Sequence, residues 1–250
     1  MKDEKSNFEE QMAGNEPVEF AKPGEKRTTL EKIQKYVEKN NKMVMGVAIG
    51  VIVLTAIFFV AKHFITKGIE ASNTQASVSL SRILPFYQVG EFQTALDGDP
   101  QNKVRGQEVI GLKKIAEEFS GTDAGKTAAL FAGNCYLGMF DYKNAAKYFE
   151  MAAKSESDLV KEGANAGLGA CSSEDNKLDD AVKYYEKAST LAITPAEKQR
   201  YMLYAGLVFE KKNDKEKAEK YYREIINDMQ RTEFTGLAKA GLTRLGMIID

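Results

Sequence analysis

Hydrophobic positions along this chain change pattern from one region to the next, and the most apolar region lies at residues 43–61. These 19 consecutive residues contain no charged side chain, and Lys42 and Lys62 bound them. As an α-helix the segment would be about 28 Å long, close to the roughly 30 Å of a membrane's hydrocarbon core. A buried helix of a soluble domain is normally apolar on one stripe only. The pattern therefore predicts one transmembrane helix over 43–61.

The segments on either side of this predicted span are more polar. Residues 1–28 have few apolar side chains and are rich in Asn, Gly, Pro and Glu, which predicts a disordered tail. Thr28 and Glu31 match a capping box ahead of apolar residues at helical spacing, so we predict an amphipathic juxtamembrane helix over 29–42. Residues 62–73 are predicted to be a linker or an extension of the membrane helix. A cleaved signal peptide is disfavoured, because its apolar stretch would be shorter and nearer the N-terminus.

Beyond residue 120 the hydrophobic pattern repeats every 36 or 37 residues. In each unit an alanine is followed by an aromatic residue four positions later and by a small or aliphatic residue seven positions later. A glycine precedes the alanine by twelve positions. The matching sets are Gly133, Ala145, Phe149 and Ala152; Gly169, Ala181, Tyr185 and Ala188; and Gly206, Ala218, Tyr222 and Ile225. Small residues at these places allow two helices to approach closely, with the aromatic ring between them.

Each unit is therefore predicted to be a pair of helices that buries its apolar face only by stacking on its neighbours. The predicted fold is an all-α solenoid preceded by a single transmembrane helix. Pro85 is expected to kink or break the helix that follows the span, and Arg105–Phe119 is predicted to be helical. The exported helical domain is assigned to 74–250, with a degenerate repeat over 76–119, repeats over about 124–155, 160–192 and 196–229, and a C-terminal cap helix over 235–249.

Composition leaves little room for catalysis. Lys and Arg number 35 and Asp and Glu 36, giving a net charge of −1, whereas a nucleic-acid-binding protein needs a basic face. The chain contains one histidine and two cysteines, too few for most metal sites and for a disulfide scaffold. We therefore expect a binding protein rather than an enzyme, with no cofactor, metal, nucleic acid or small-molecule substrate.

Two local motifs could suggest chemistry, but their context argues against it. Ser120–Thr127 resembles a phosphate-binding loop in which serine replaces the first glycine, yet it follows a predicted helix where that loop follows a strand. An inter-helix loop, with Thr122 or Asp123 capping the next helix, is favoured. Cys135 and Cys171 occupy the same repeat position, so equivalent helices hold them too far apart for a favoured disulfide.

Charged residues around the span predict its orientation. Six cations lie in the 20 residues before it and two in the 20 after it: Lys26, Arg27, Lys32, Lys35, Lys39 and Lys42 against Lys62 and Lys67. The positive-inside rule then keeps the N-terminus in the cytoplasm and exports the C-terminal domain. In a bacterium this predicts a single-pass inner-membrane protein whose C-terminal domain is periplasmic.

The repeat pattern resembles the tetratricopeptide repeat, a helix pair of about 34 residues with small and aromatic residues at these offsets. A single anchor followed by exported repeats is similar to the YfgM-like accessory subunits of the bacterial Sec translocon. That resemblance implies SecYEG, a membrane-anchored periplasmic chaperone and exported client proteins as partners. Two alternatives stay open: an envelope scaffold similar to the YbgF-like partners of Tol–Pal, and a mitochondrial-type import receptor.

Resemblance to tetratricopeptide arrays also implies a concave groove lined by the first helix of each pair. Asn134 matches one residue of the carboxylate clamp found in chaperone-binding members, but the clamp's basic residues are missing, so the groove suits an apolar helix or unfolded segment. In the alternative interpretation, some of its leucines belong to the core. The implied lining residues are Leu130, Asn134, Leu137, Ala166, Ala170, Leu203, Leu207 and Glu210.

Overall fold

The computed structural model of the chain describes residues 31, 33–104 and 106–248. The predicted disordered tail over 1–28 therefore lies outside the described residues. The chain divides into two compact units, Met1–Phe64 and Ile65–Asp250, and each is described by itself.

In the first unit, residues 33–39 are helical and Asn40 forms a turn, after which helix α1 begins. Helix α1 spans Asn41–Gln88, so its C-terminal part belongs to the second unit. Its most apolar stretch is exposed over its whole length, and α1 is long and apolar enough to cross a membrane. These features make α1 a candidate membrane span.

One expectation about α1 is confirmed and one is wrong. Residues 62–73 are helical throughout, which is the helix extension rather than the linker. The expected break at Pro85 does not occur, and the helix continues through this residue to end at Gln88. Proline removes one backbone donor and disfavours the helix interior. Here Leu80 and Ile83 are buried in the core of the second unit, so tertiary packing outweighs that local loss.

The predicted helix over Arg105–Phe119 is also wrong in its first part. A two-stranded antiparallel hairpin occupies this region, pairing Gly98 with Ile110 and Val104 with Gln107. Gly98 and Gly106 have φ angles of 87° and 78°, a conformation that glycine adopts at little cost. In chain order the elements are α2 (Phe92–Asp97), β1 (Gly98–Val104), β2 (Gln107–Ile110) and α3 (Leu112–Glu118).

The rest of the second unit consists of helices that pack consecutively against one another. Helix α4 also packs on α6, and α8 packs on α10, which brings these first helices of neighbouring pairs into contact. Over the residues that the structure describes, the fold is thus predominantly helical, as predicted, with one small hairpin. The helices are α4 (Asp123–Gly138), α5 (Tyr142–Ala152), α6 (Asp158–Glu174), α7 (Leu178–Leu191), α8 (Pro195–Lys211), α9 (Lys215–Asn227) and α10 (Glu233–Leu245).

Local sequence signals set the ends of these helices. Thr194 and Glu197 form a capping box at the start of α8, where Pro195 takes the first helical position. Two residues beyond the end of each of α4, α6 and α8, a non-glycine residue has a positive φ angle: Phe140 (63°), Asn176 (59°) and Asn213 (60°). Asparagine tolerates this conformation better than most residues, whereas phenylalanine does not.

Contacts between glycine and aromatic residues hold each helix pair together, as the repeat pattern predicted. The aromatic rings at the three equivalent positions are buried. A side chain on the facing glycine would collide with the ring, so the helices approach closely only because glycine stands there. The distance from an ideal Cβ to the nearest ring atom would be 2.7 Å for Gly133 and Phe149, 2.8 Å for Gly169 and Tyr185, and 2.7 Å for Gly206 and Tyr222.

Candidate protein-binding surface

The first helices α4, α6 and α8 carry the residues predicted to line the groove, and the structure places them in different environments. Five are half-buried, which leaves part of each side chain accessible: Leu130, Asn134, Leu137, Ala166 and Ala170. Leu207 on α8 is 39% exposed. These six residues are compatible with an accessible surface.

Leu203 is different, because its side chain is buried. Its assignment as a residue that lines the groove is therefore wrong. Its side chain is only 4% exposed and belongs to the core cluster formed by α7–α10. Leu203 and Leu207 are one helical turn apart, but their neighbours differ. The pair therefore marks the boundary between the core and the accessible face of α8.

Glu210 has a structural role that the sequence did not reveal. Its carboxylate accepts a hydrogen bond of 2.6 Å from the Tyr222 hydroxyl and one of 2.9 Å from Arg244 Nη2. Burial and the hydrogen bond to Glu210 raise the pKa of the Tyr222 phenol, and the same carboxylate raises the pKa of Arg244. Glu210 thus connects α8, α9 and α10, and its oxygens are engaged within the chain.

Asn134 also has a partner within the chain. Its Nδ2 donates to the hydroxyl of Tyr87 at 3.3 Å, and the Tyr87 ring lies 4.8 Å from that of Phe131, centroid to centroid. Tyr87 comes from the C-terminal end of α1. The face of α4 is therefore partly covered at this end, and Asn134 is not positioned as a free ligand for a terminal carboxylate.

Two residues on α8 extend the accessible surface beyond those predicted. Tyr204 is 37% exposed and lies three positions before Leu207, so both occupy one side of the helix. Arg200 precedes Tyr204 by one turn and donates through Nη2 to the Tyr201 hydroxyl at 3.0 Å. The helical spacing of Arg200, Tyr204 and Leu207 could have identified this face from the sequence.

A buried polar network stabilises the junction between α6 and α8 beneath this face. The Tyr201 hydroxyl donates to Glu162 Oε1 at 2.8 Å, and Glu162 is 2% exposed. Burial and the hydrogen bond to Glu162 raise the pKa of Tyr201 to about 12. This network fixes the position of α8 relative to α6 and so positions Tyr204 and Leu207.

The loop resembling a phosphate-binding loop uses its amides within the chain. It follows α3, and Thr122 caps α4 by accepting from the Gly125 amide at 3.0 Å, as predicted. The amide of Ala124, one residue earlier, donates a hydrogen bond to Asn73 Oδ1 at 2.9 Å. These two donors of the α4 N-terminus are therefore already occupied.

The cysteines are unpaired and buried, which agrees with the favoured interpretation. Burial raises the pKa of Cys135 to about 12 and that of Cys171 to about 11, so both thiols stay protonated near neutral pH. Within residues 31, 33–104 and 106–248, no group of three or more His, Cys, Asp or Glu side chains is placed to hold a metal ion.

Comparison with known families places a tetratricopeptide repeat at residues 200–227, which covers most of α8 and all of α9. A comparison with curated proteins gave no match. The matched segment includes Gly206 and Tyr222, whose close contact holds this helix pair together. The family match supports the identification of the chain as a tetratricopeptide repeat protein, a class that functions in protein–protein interactions.

Proposed function

We propose that this protein is a membrane-anchored scaffold that binds other proteins through the first helices of its repeats, and that it is not an enzyme. The observation that carries the proposal is the combination of an exposed apolar helix with a helical array that contains a tetratricopeptide repeat at residues 200–227. The apolar helix provides the anchor and the array provides the binding surface.

The anchor is supported by the side chains that α1 presents. Soluble monomers seldom expose a large continuous apolar surface to water, because its hydration is unfavourable. In a bilayer the same surface is stable, and the backbone donors are satisfied within the helix. Large apolar side chains that are about half exposed or more include Val47, Ile49, Ile52, Leu54, Ile57, Phe58, Phe59 and Val60.

For the binding surface, we propose the face of α8 that carries Tyr204 and Leu207, with the half-buried Ala166 and Ala170 of α6. Leucine and tyrosine supply apolar area, and small residues leave space for a partner's side chains. An amphipathic helix or an unfolded apolar segment fits such a surface. Leu203 and Glu210 contribute indirectly, because they fix α8 in the array.

More specifically, we propose an accessory subunit of the bacterial Sec translocon with SecYEG, a periplasmic chaperone and exported proteins as partners. The excess of cations before the predicted span supports an N-terminus in the cytoplasm and a periplasmic repeat domain. An envelope scaffold similar to the YbgF-like partners of Tol–Pal, which also carry these repeats, is the alternative. A mitochondrial-type import receptor would need its repeats in the cytosol.

The topology can be tested by thiol labelling in cells. With Ser6→Cys and Lys187→Cys introduced separately, a membrane-impermeant thiol reagent should label only position 187 once the outer membrane is permeabilised. Lys187 is exposed on α7. The native cysteines are buried and protonated, so the unsubstituted chain should give no signal and serves as the control. Labelling at position 6 but not at 187 would show that the protein has the opposite orientation in the membrane. The proposed role at the translocon would then be wrong.

Partner identity can be tested by crosslinking in native membranes. A photoreactive amino acid at Leu207 should capture a Sec component, whereas the same group at Lys183 should not. Lys183 is exposed on α7, the second helix of its pair, and provides the matched control. Capture of Tol–Pal proteins in place of Sec components at Leu207 would favour the envelope scaffold instead.

A further inference from the structure

In each of the three regular repeats, three residues of the second helix are buried at the same positions. A similar set of three buried residues lies on either side of the β-hairpin. In the three regular repeats the triplet follows a spacing of four and then three residues, as in Ala145, Phe149 and Ala152. Near the hairpin, Ala95, Leu112 and Ile115 are completely buried. Their spacing becomes four and three when the 13 residues 98–110 are left out of the count.

Geometry at the base of the hairpin agrees with this register. A Cβ atom built on Gly111 would lie 2.2 Å from the carbonyl oxygen of Leu96 and 2.5 Å from the nitrogen of Gly98. The chain therefore returns to the place where α2 ended. Lys113 at the start of α3 forms an ion pair with Asp97 at the end of α2. Both short helices pack against α4, as the second helix of a preceding repeat would.

The C-terminal part of α1 fits the first helix of the same repeat. Ile83 stands twelve residues before Ala95, where the regular repeats have glycine, and it is completely buried. Leu112 stands at the position of the larger aromatic ring of the other repeats. Ile83 and Leu112 belong to the same buried core cluster as Ala95 and Ile115.

We infer that residues 76–118 form a further tetratricopeptide repeat whose second helix is interrupted by an inserted β-hairpin, residues 98–110, that the array does not need in order to fold. The helix resumes in phase after the insertion, so its core contacts are those of an uninterrupted helix. This inference does not depend on the proposed membrane function.

Burial within the hairpin is consistent with an insertion. Val109, close to its base, is 2% exposed, whereas most of the other described hairpin side chains are accessible. An isolated two-stranded hairpin contributes little stability of its own. The accessible positions are Pro100, Gln101, Lys103, Val104, Gln107 and Glu108. The insertion thus adds a polar surface to the first repeat without supplying much of its core.

Deletion of 98–110 from the full-length chain in detergent micelles tests the inference. Joining Asp97 to Gly111 should give a continuous helix, a cooperative melt by circular dichroism at 222 nm, and a melting temperature within a few degrees of the parent. Deleting 13 residues within the second helix of a regular repeat, 142–154, provides the control and should abolish the cooperative melt. A hairpin deletion that melts as poorly as the control would overturn the inference.

A substitution at Gly111, made in both backgrounds, gives a second test of the inference. In the intact chain, Gly111→Ala should lower the melting temperature, because the new Cβ would overlap the backbone of Leu96. In the deletion variant, residue 111 becomes the interior of a helix, where alanine is favoured over glycine. There the same substitution should raise the melting temperature. A change of the same sign in both backgrounds would contradict the insertion.

Discussion

Replacing Tyr222 by alanine should lower the free energy of unfolding of the repeat domain by about 3–5 kcal/mol, as expected for the loss of a large buried ring. The ring is completely buried between two helices. A Cβ on Gly206 would lie 2.7 Å from it on one side, and a Cβ on Gly241 2.5 Å on the other. Neither glycine has a side chain that could fill the cavity, so the array is unable to compensate locally.

Two further variants separate the contribution of the ring from that of its hydroxyl. Tyr222→Phe keeps the ring and removes the hydrogen bond to Glu210, so it should cost only about 0.5–3 kcal/mol. Tyr204→Ala removes a ring that is 37% exposed and should cost less than Tyr222→Ala. Chemical denaturation of the full-length chain in micelles, followed by circular dichroism, gives these values. Equal costs for Tyr222→Ala and Tyr204→Ala would contradict the burial on which the prediction depends.

The second large effect is expected when either of two leucines on neighbouring turns of α8 is replaced by glutamate. Leu203→Glu should unfold the C-terminal half of the array, because it places a carboxylate among apolar side chains without a partner. Leu207→Glu should leave the fold intact, since glutamate is a good helix former and the position is exposed. It should nevertheless abolish capture of the partner if the α8 face is the binding surface.

The readouts for this pair are circular dichroism and recovery of partners from native membranes. Leu207→Met conserves size and polarity and should keep both the fold and the partner. A folded Leu207→Glu variant that recovers the same partners would reject the proposed surface. A folded Leu203→Glu variant with an unchanged melting temperature would show that Leu203 lies outside the core.

The amino-acid sequence by itself determined the features that depend on short-range chemistry. The apolar helix, the period of 36 or 37 residues and the cap at Thr122 all follow from residues close together in the chain. The contact between each glycine and its aromatic partner was predictable for a related reason. The two residues are 16 positions apart in the chain, on the two helices of one pair. Local propensity and repeated spacing are sufficient to define such elements.

The hairpin could not be predicted from the same signals. Val109, Leu112 and Ile115 are spaced three apart, which suggests one helix, although Val109 belongs to a strand. The structure differs because Gly98 and Gly106 allow the chain to turn, and because the core accepts Ala95, Leu112 and Ile115 together. Over a short stretch, apolar periodicity does not distinguish a continuous helix from two elements that both face the core.

Only the tertiary structure decided which residues form the accessible surface. Leu203 and Leu207 share one side of α8, and Asn134 and Glu210 stand at positions that line the groove in related arrays. Packing then buries Leu203 among α7–α10, pairs Asn134 with Tyr87, and ties Glu210 to Tyr222 and Arg244. Helical spacing fixes the direction of a side chain from its own axis, but burial depends on neighbouring helices that are distant in sequence. The sequence therefore determined the repeats, whereas the stacking of the repeats determined the surface.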